Sequence, residues 1–200
     1  MAEIKLFDKW STEGIKVEDK GLKSYINLKP VVAPRSAGRQ AHQQFHKSSM
    51  NIIERLMNRM FVPGHRGKKH LISSGIATGK STTAWELMKE TLELIEQRTK
   101  KNPIEVVVKA IENAALREEI TGYQVGGIMV RKAVITAPQR RIDLALRLIT
   151  QGSYQKSHGK GKKMADCLAE ELIACYNYDS SKSNAIKEKE RIEREAAGAR

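Results

Sequence analysis

The fold is decided by the stretch from Asn102 to Ile149, which reads NPIEVVVKAIENAALREEITGYQVGGIMVRKAVITAPQRRIDLALRLI. It opens with apolar residues at helical spacing after an Asn-Pro pair, in which asparagine caps a helix and proline suits its first turn. Two strand-like runs, 119–125 and 128–135, flank Gly126–Gly127. This connection predicts a β-hairpin, because glycine adopts positive φ at low cost. Ala137–Pro138 then begins another helix.

The sequence on either side predicts further helices. An apolar stripe at Ile53, Leu56, Met57 and Met60 indicates a helix from about Lys47 to Phe61, ended by Pro63–Gly64. Thr83 and Glu86 have capping-box spacing and are expected to open the next helix. A loop with Gly152, Gly159, Gly161 and four lysines is expected before a helix over Met164–Asn177, and a short solvated helix from about Asn184.

These elements predict a mainly α-helical protein: a five- to six-helix domain with one protruding β-hairpin between the third and fourth helices. Residues 46–177 are expected to form this domain, with the hairpin at about 119–135. Residues 1–45 read as an N-terminal arm with little structure of its own, basic in its second half. Residues 178–200 read as a charged C-terminal tail.

Positive charge is concentrated in two blocks of the 200-residue chain. Lys and Arg number 36 against 23 Asp and Glu, a net charge of +13. The window 29–70 holds nine basic residues and one acidic residue, and the window 136–163 holds seven and one. Such blocks beside nearly neutral sequence are typical of a protein that binds a polyanion. Solvated flexible segments are the alternative explanation.

The cations of these blocks are the candidate phosphate-binding residues. Four of them form two pairs at helical spacing, Arg55 with Arg59 and Arg140 with Arg147. Nearly all lie on the predicted arm, on two helices or in the glycine-containing loop: Arg35, Arg39, Lys47, Arg55, Arg59, Arg140, Arg141, Arg147, Lys156, Lys160, Lys162 and Lys163. On the hairpin, Tyr123 before Gly126–Gly127 and Arg131–Lys132 after it suit stacking on an unpaired base beside a phosphate contact. Plain cross-strand packing is the alternative role of Tyr123.

Patterns that would indicate an enzyme or a metal site are incomplete. The segment Gly75–Ser81 has three residues between its glycines, where a phosphate-binding loop needs four. His42 and His46 have the spacing of a helical zinc site, but Gln43 stands where the general-base glutamate would be. Cys167 and Cys175 form no CxxC pattern. We therefore expect no enzyme, no cofactor and no metal.

The longest unbroken apolar run is Leu172–Tyr176, far short of the roughly 20 residues that cross a bilayer. Charges within the first ten residues leave no apolar signal-peptide core. These features lead us to expect a cytoplasmic protein with no membrane partner.

Several ordered motifs resemble the small-subunit ribosomal protein seven family. They are Asn102–Glu105, Ala110–Asn113, Val125–Gly127, Pro138–Arg141, Leu144–Arg147, Met164–Ala165 and Leu168–Leu172. The resemblance covers about residues 46–177. The long arm, the connector near 62–80 and the ending 184–187 resemble the archaeal and eukaryotic branch, whereas the hairpin segment Thr121–Gln124 is less basic than in the bacterial form.

The resemblance implies a structural protein of the small ribosomal subunit that binds the three-prime major domain of the rRNA and nucleates assembly of the subunit head. It places the protein at the subunit interface near the decoding centre and exit site. Residues 123–132 would then approach mRNA and exit-site tRNA, and the tail would face neighbouring ribosomal proteins of the head and platform. A DNA-binding, chromatin-like protein and a nucleotide-dependent enzyme remain alternatives.

Overall fold

The computed structural model describes residues 4–64 and 78–200. In this part of the chain the order is six helices with one antiparallel hairpin between the third and the fourth, as predicted. The elements are α1 (Ile52–Arg59), α2 (Ser81–Thr99), α3 (Pro103–Ala114), β1 (Glu118–Val125), β2 (Ile128–Ile135), α4 (Pro138–Ser157), α5 (Met164–Tyr176) and α6 (Asn184–Ala197). Two short 3-10 turns, Arg39–Ala41 and His46–Ser49, precede α1.

Helix α5 lies at the centre of the fold and packs against α2, α3 and α4. Its side chains Leu168, Leu172 and Cys175 are fully buried. The predicted stripes of the neighbouring helices point into the same core, as Ile111 of α3 and Ile149 of α4 show. Burial of these apolar faces is the main force that holds the helices together.

The start of α3 is the one that the sequence predicts, whereas the starts of α1 and α2 differ. The side chain of Asn102 accepts a hydrogen bond from the backbone N–H of Ile104 at 3.1 Å. Helix α1 begins only at Ile52, because Asn51 is extended and caps it through the backbone N–H of Ile53 at 2.9 Å. The expected capping box at Thr83 is wrong: α2 begins two residues earlier at Ser81, without a side-chain cap.

The hairpin follows its predicted register, with Val125 opposite Ile128 and a turn at Gly126 and Gly127, whose φ angles are 55° and 86°. Its outer half projects into solvent. Its base is held by the end of the chain: the Arg200 guanidinium pairs with Glu118, and the backbone N–H of Ala133 donates to the carbonyl of Ala199 at 3.4 Å.

The N-terminal segment is packed onto the domain instead of forming a free arm. Residues 4–45 contain no helix of four residues or more, but Leu6, Trp10, Leu22 and Ile26 are buried in the same core as the helices. The indole N–H of Trp10 donates to Glu96 of α2 at 2.9 Å. The expectation of an arm with little structure of its own is therefore wrong for these residues, because widely spaced apolar side chains anchor a segment that lacks periodicity.

The expected glycine-rich loop is shorter than predicted, since α4 continues to Ser157 and contains both Gly152 and Lys156. Position 152 of this helix is occupied by glycine because a Cβ there would lie only 2.9 Å from the Glu171 carboxylate. That carboxylate is fully buried and accepts hydrogen bonds from the hydroxyl of Ser183 and the backbone N–H of Ala185.

Helix α6 is likewise less solvated than expected. Its Ala185, Ile186 and Ala196 are buried, and the Ser183 hydroxyl caps it by accepting from the N–H of Ile186 at 3.2 Å. The tail is thus part of the domain, and α6 supports the base of the hairpin.

The packed N-terminal segment generates a stability prediction. Replacing Leu22 with alanine removes a fully buried side chain and leaves a cavity, so the free energy of unfolding should fall by about 2–5 kcal/mol. Urea denaturation followed by circular dichroism measures this change. Ile4→Ala is the matched control, because Ile4 is exposed and its loss should cost no more than about 0.5 kcal/mol. Equal midpoints for the two variants would show that the segment is not anchored in the core.

Candidate nucleic-acid interface

A groove on the surface lies between α4 on one side and α1 with its preceding 3-10 turn on the other. Five of the predicted phosphate-binding cations line it, against the single carboxylate of Asp143. They are Lys47, Arg55, Arg59, Arg140 and Arg147. The groove therefore brings together cations from the two basic blocks, which lie about ninety residues apart in the sequence.

Asp143 joins the two walls of the groove. Its carboxylate accepts a hydrogen bond from Arg55 at 2.9 Å and pairs with Lys47. The Arg55 side chain is buried and also donates to the backbone carbonyl of Tyr25 at 3.1 Å. Arg55 is thus a structural residue more than a free cation, which the sequence analysis did not foresee.

The neighbouring arginines of α4 also differ from each other. Arg140 is exposed and forms a two-pronged pair with Glu119 of the hairpin, at 2.6 and 2.7 Å, and this pair raises the pKa of Arg140. Arg141 is mostly buried, donating to Asp19 at 2.6 Å and to the carbonyl of Leu116 at 2.7 Å. Burial alone would raise the pKa of Asp19, but Arg141 and the N–H of Gly21 outweigh it and lower that pKa.

Arg59 of α1 and Arg147 of α4 both line the groove, and neither forms an ion pair with a carboxylate in the described ranges. Burial lowers the pKa of Arg59, and the positive charge of Arg147 lowers it further, whereas Asp143 opposes this change. The Nε of Arg59 is buried and has no hydrogen-bond partner, and the side chain of Arg147 forms no hydrogen bond or ion pair within residues 4–64 and 78–200. Two guanidinium groups that line one groove without a carboxylate partner form a site that suits a phosphate.

The groove also contains a residue that the sequence analysis missed. Gln139 is 7% exposed, and neither its Oε1 nor its Nε2 has a hydrogen-bond partner in the described chain. A signal for it exists in the sequence: Gln139, Asp143 and Arg147 recur every fourth residue and so share one face of α4.

Of the lysines at the end of α4 and in the loop that follows it, only some have a side chain free to bind a phosphate. Lys156, predicted in the loop, instead pairs with the buried carboxylate of Glu171 at 2.5 Å and donates to the carbonyl of Lys182. Lys160 and Lys162 are exposed, and their side chains form no hydrogen bond or ion pair among the described residues. Lys163 is exposed, and the Glu90 carboxylate lies 3.5 Å from its ammonium nitrogen.

The two arginines of the N-terminal segment lie away from the groove lining. Arg35 donates to the hydroxyls of Ser81 and Thr82 at the start of α2, at 2.8 and 3.3 Å, and its guanidinium lies 5.6 Å from the ring centre of Trp85. Arg39 is exposed on the first 3-10 turn.

The hairpin presents its candidates to solvent. Tyr123 is 45% exposed, and Arg131 and Lys132 are exposed. In the register, Lys132 pairs with Thr121 and therefore shares a face with Tyr123, whereas Arg131 pairs with Gly122 on the opposite face. The aromatic ring and one of the two cations are thus placed side by side.

The weaker candidates of the sequence analysis gain no support. Residues 75–77 of the Gly75–Ser81 segment, together with His65 and His70, lie outside the described residues. Within the ranges 4–64 and 78–200, no three His, Cys, Asp or Glu side chains are grouped to hold a metal. Both cysteines are buried, and burial raises the pKa of Cys175 to about 12, which keeps its thiol protonated.

A helical domain with a projecting hairpin and a groove rich in cations suits a protein that binds a polyanion. Comparison with known proteins defines the family. The family described as ribosomal protein S7p/S5e matches residues 22–200. The chain belongs to this family, which consists of structural, non-enzymatic proteins of the small ribosomal subunit.

Archaeal relatives match over nearly the whole chain. It is 48% identical to a protein of Nanoarchaeum equitans named small ribosomal subunit protein uS7, over 99% of this chain and all of that protein. Proteins of the same name from Methanothrix thermoacetophila and Methanococcus vannielii are 44% and 42% identical, covering 98% and 99% of this chain and 100% and 96% of their own lengths. The predicted resemblance to the archaeal branch is confirmed.

In the described ranges, every helix is too short or too polar to span a lipid bilayer.

The division between structural and free cations predicts a difference in stability. Arg55→Ala removes a buried guanidinium and leaves the Tyr25 carbonyl and Asp143 without their partner, so the free energy of unfolding should fall by about 2–3 kcal/mol. Arg147→Ala removes an exposed, unpaired cation and should change it by less than about 0.5 kcal/mol. Urea denaturation of both variants gives the comparison. A larger loss for Arg147→Ala than for Arg55→Ala would contradict the assignment.

Proposed function

We propose that this chain, as a structural constituent of the small ribosomal subunit, binds rRNA directly and that the groove between α1 and α4 is the principal contact surface. The observation that carries this proposal is that Arg59 of α1 and Arg147 of α4 line one groove, while neither guanidinium group forms an ion pair with a carboxylate of the described residues. Two such guanidinium groups in one groove destabilise the folded protein when no anion is bound, because like charges repel and one of the groups is partly desolvated. A phosphate between them removes both penalties.

Cations outside the groove extend this surface. Lys160 and Lys162 lie beside Gly159 and Gly161, whose φ angles of 70° and 67° let the backbone turn closely around a phosphate. Arg39 adds a further exposed cation on the N-terminal segment. Arg55, Arg141 and Lys156 belong to internal ion pairs and contribute to the surface by holding it in shape.

We also propose a finer assignment, which the resemblance to the family supports. The rRNA target is the three-prime major domain, and binding there nucleates assembly of the subunit head, with the protein near the decoding centre and exit site. Neighbouring ribosomal proteins of the head and platform are the protein partners, and the location is the cytoplasm. The resemblance of the helical motifs to the family supports these statements, and membership of the family is consistent with them.

We also propose that the hairpin approaches mRNA and exit-site tRNA. Support comes from its exposed tip, where Tyr123 shares a face with Lys132 and where Ile128 and Met129 are 71% and 64% exposed. An aromatic ring beside a cation suits an unpaired base and its phosphate.

Titration with RNA tests the principal contact surface. Arg147→Ala should lower the affinity of the full chain for the cognate three-prime major domain, because it removes one phosphate contact. The slope of log affinity against log salt should fall by roughly 1 in magnitude. Arg194→Ala is the matched control, an exposed arginine on α6 far along the chain from the groove, and it should leave affinity and slope unchanged.

Competitors separate this function from general polyanion binding. Equal-length duplex DNA and scrambled RNA are added at 50 and 200 mM salt. The proposal expects preference for the three-prime major domain to persist at the higher salt. Equal binding to all three nucleic acids would favour the DNA-binding alternative and contradict the assembly role.

A further inference from the structure

One polar side chain of the groove has an environment that phosphate binding does not explain. The amide of Gln139 is buried with both of its polar atoms unpartnered in the described chain. An unsatisfied buried donor or acceptor is unfavourable, and native proteins contain few of them. The phosphates proposed at Arg59 and Arg147 would take donors only, and the acceptor Oε1 would still lack a partner.

Part of the groove that Gln139 lines is apolar, beside the cations already described. Met50, Leu144 and Leu146 line it together with Phe45. The ring of Phe45 is 66% exposed, and its φ of 63° is unusual for a bulky residue. Strained backbone that displays an aromatic side chain is found more often at functional sites than elsewhere.

We propose that the groove accommodates one unpaired adenine base, which stacks on Phe45 and is read along its edge by the Gln139 amide, while Arg59 and Arg147 bind the adjoining phosphates. This inference rests on the proposed rRNA-binding function and adds the kind of nucleotide that the groove selects. The terminal torsion of a glutamine is soft, so a small rotation presents both amide atoms to the groove.

We assign the amide to the Hoogsteen edge of the base, the edge on which adenine alone among the four bases offers a donor beside an acceptor. The exocyclic amine of adenine is a donor and lies beside a ring-nitrogen acceptor, so the amide pairs with both at once. The corresponding edge of guanine offers two acceptors and would leave Oε1 unpaired. Asp143 does not repel the nucleotide, because Arg55 and Lys47 neutralise its carboxylate.

Neither a phosphate alone nor an acidic protein segment explains the same features. A phosphate has no donor for Oε1 and gains nothing from the apolar wall. An acidic peptide would satisfy Arg59 and Arg147, but no aromatic platform is needed for it. The combination of an amide, an exposed ring and two guanidinium groups corresponds to the three parts of a nucleotide.

The decisive variant is Gln139→Met, which keeps the size of the side chain and removes both polar atoms. We expect the affinity of the full chain for the three-prime major domain to fall about tenfold at both 50 and 200 mM salt. The salt slope should stay that of the wild type, because no charge is removed. Gln155→Met is the matched control in the same helix, where the residue does not line the groove, and it should bind like the wild type.

Base identity is tested by replacing single unpaired adenosines of the RNA with purine riboside, which lacks the exocyclic amine. We expect one position at which this change weakens binding of the wild type about tenfold and leaves binding of Gln139→Met unaltered. Denaturation of Gln139→Met, measured in parallel, should show a fold at least as stable as the wild type, because an unsatisfied buried amide has been removed.

The outcomes separate the two proposals. If the wild type fails to prefer the three-prime major domain over scrambled RNA, the rRNA-binding function itself is wrong. If that preference holds and Gln139→Met binds within twofold of the wild type, or no adenosine depends on Gln139, the base site is wrong and the function stands. Binding of a ribosomal protein in place of RNA at the groove would appear as wild-type RNA affinity for both Gln139→Met and Arg147→Ala.

Discussion

The ion pair between Arg55 of α1 and Asp143 of α4, with 2.9 Å between nitrogen and oxygen, fixes the two walls of the groove relative to each other. Lys47 joins the same carboxylate from the 3-10 turn before α1. Asp143 is the only acidic residue that lines the groove in the described chain, and two cations already occupy it. Arg140 is paired with Glu119, whereas Arg59 and Arg147 have no carboxylate partner among the described residues, so this part of the surface is preorganised for an anion.

Most of the fold can be predicted from the sequence because its signals are local. Asn102–Pro103, Gly126–Gly127 and the apolar stripes act within a few residues, and the helices and the hairpin appear where they predict. The predictions that are wrong concern features that depend on contacts between residues far apart in the sequence. The burial of Leu22 and the continuation of α4 through Gly152, whose missing Cβ makes room for Glu171, are set by residues far away in the chain.

The sequence predicts where the site lies, but it does not predict what each of its residues does. Charge density in the sequence identifies the two walls, since five of the predicted cations line one groove. It cannot show which cations are neutralised, because the partners of Arg141 and Lys156 are Asp19 and Glu171, at separations that no local pattern reveals. Gln139 cannot be predicted as a site residue for a related reason. Its side chain is neutral and does not contribute to the charge pattern, and its lack of hydrogen-bond partners arises only in the folded chain.

We propose above that RNA binds to the face formed by α1 and α4. Hydrogen exchange of the full chain with and without the three-prime major domain tests it most directly, because bound RNA slows the local opening of the helices that it covers. If RNA binds this face, hydrogen exchange will slow in Ile52–Arg59 and in the first half of α4, and exchange in α6 will be unchanged. Slower exchange in α6 with α1 and α4 unaffected would contradict it.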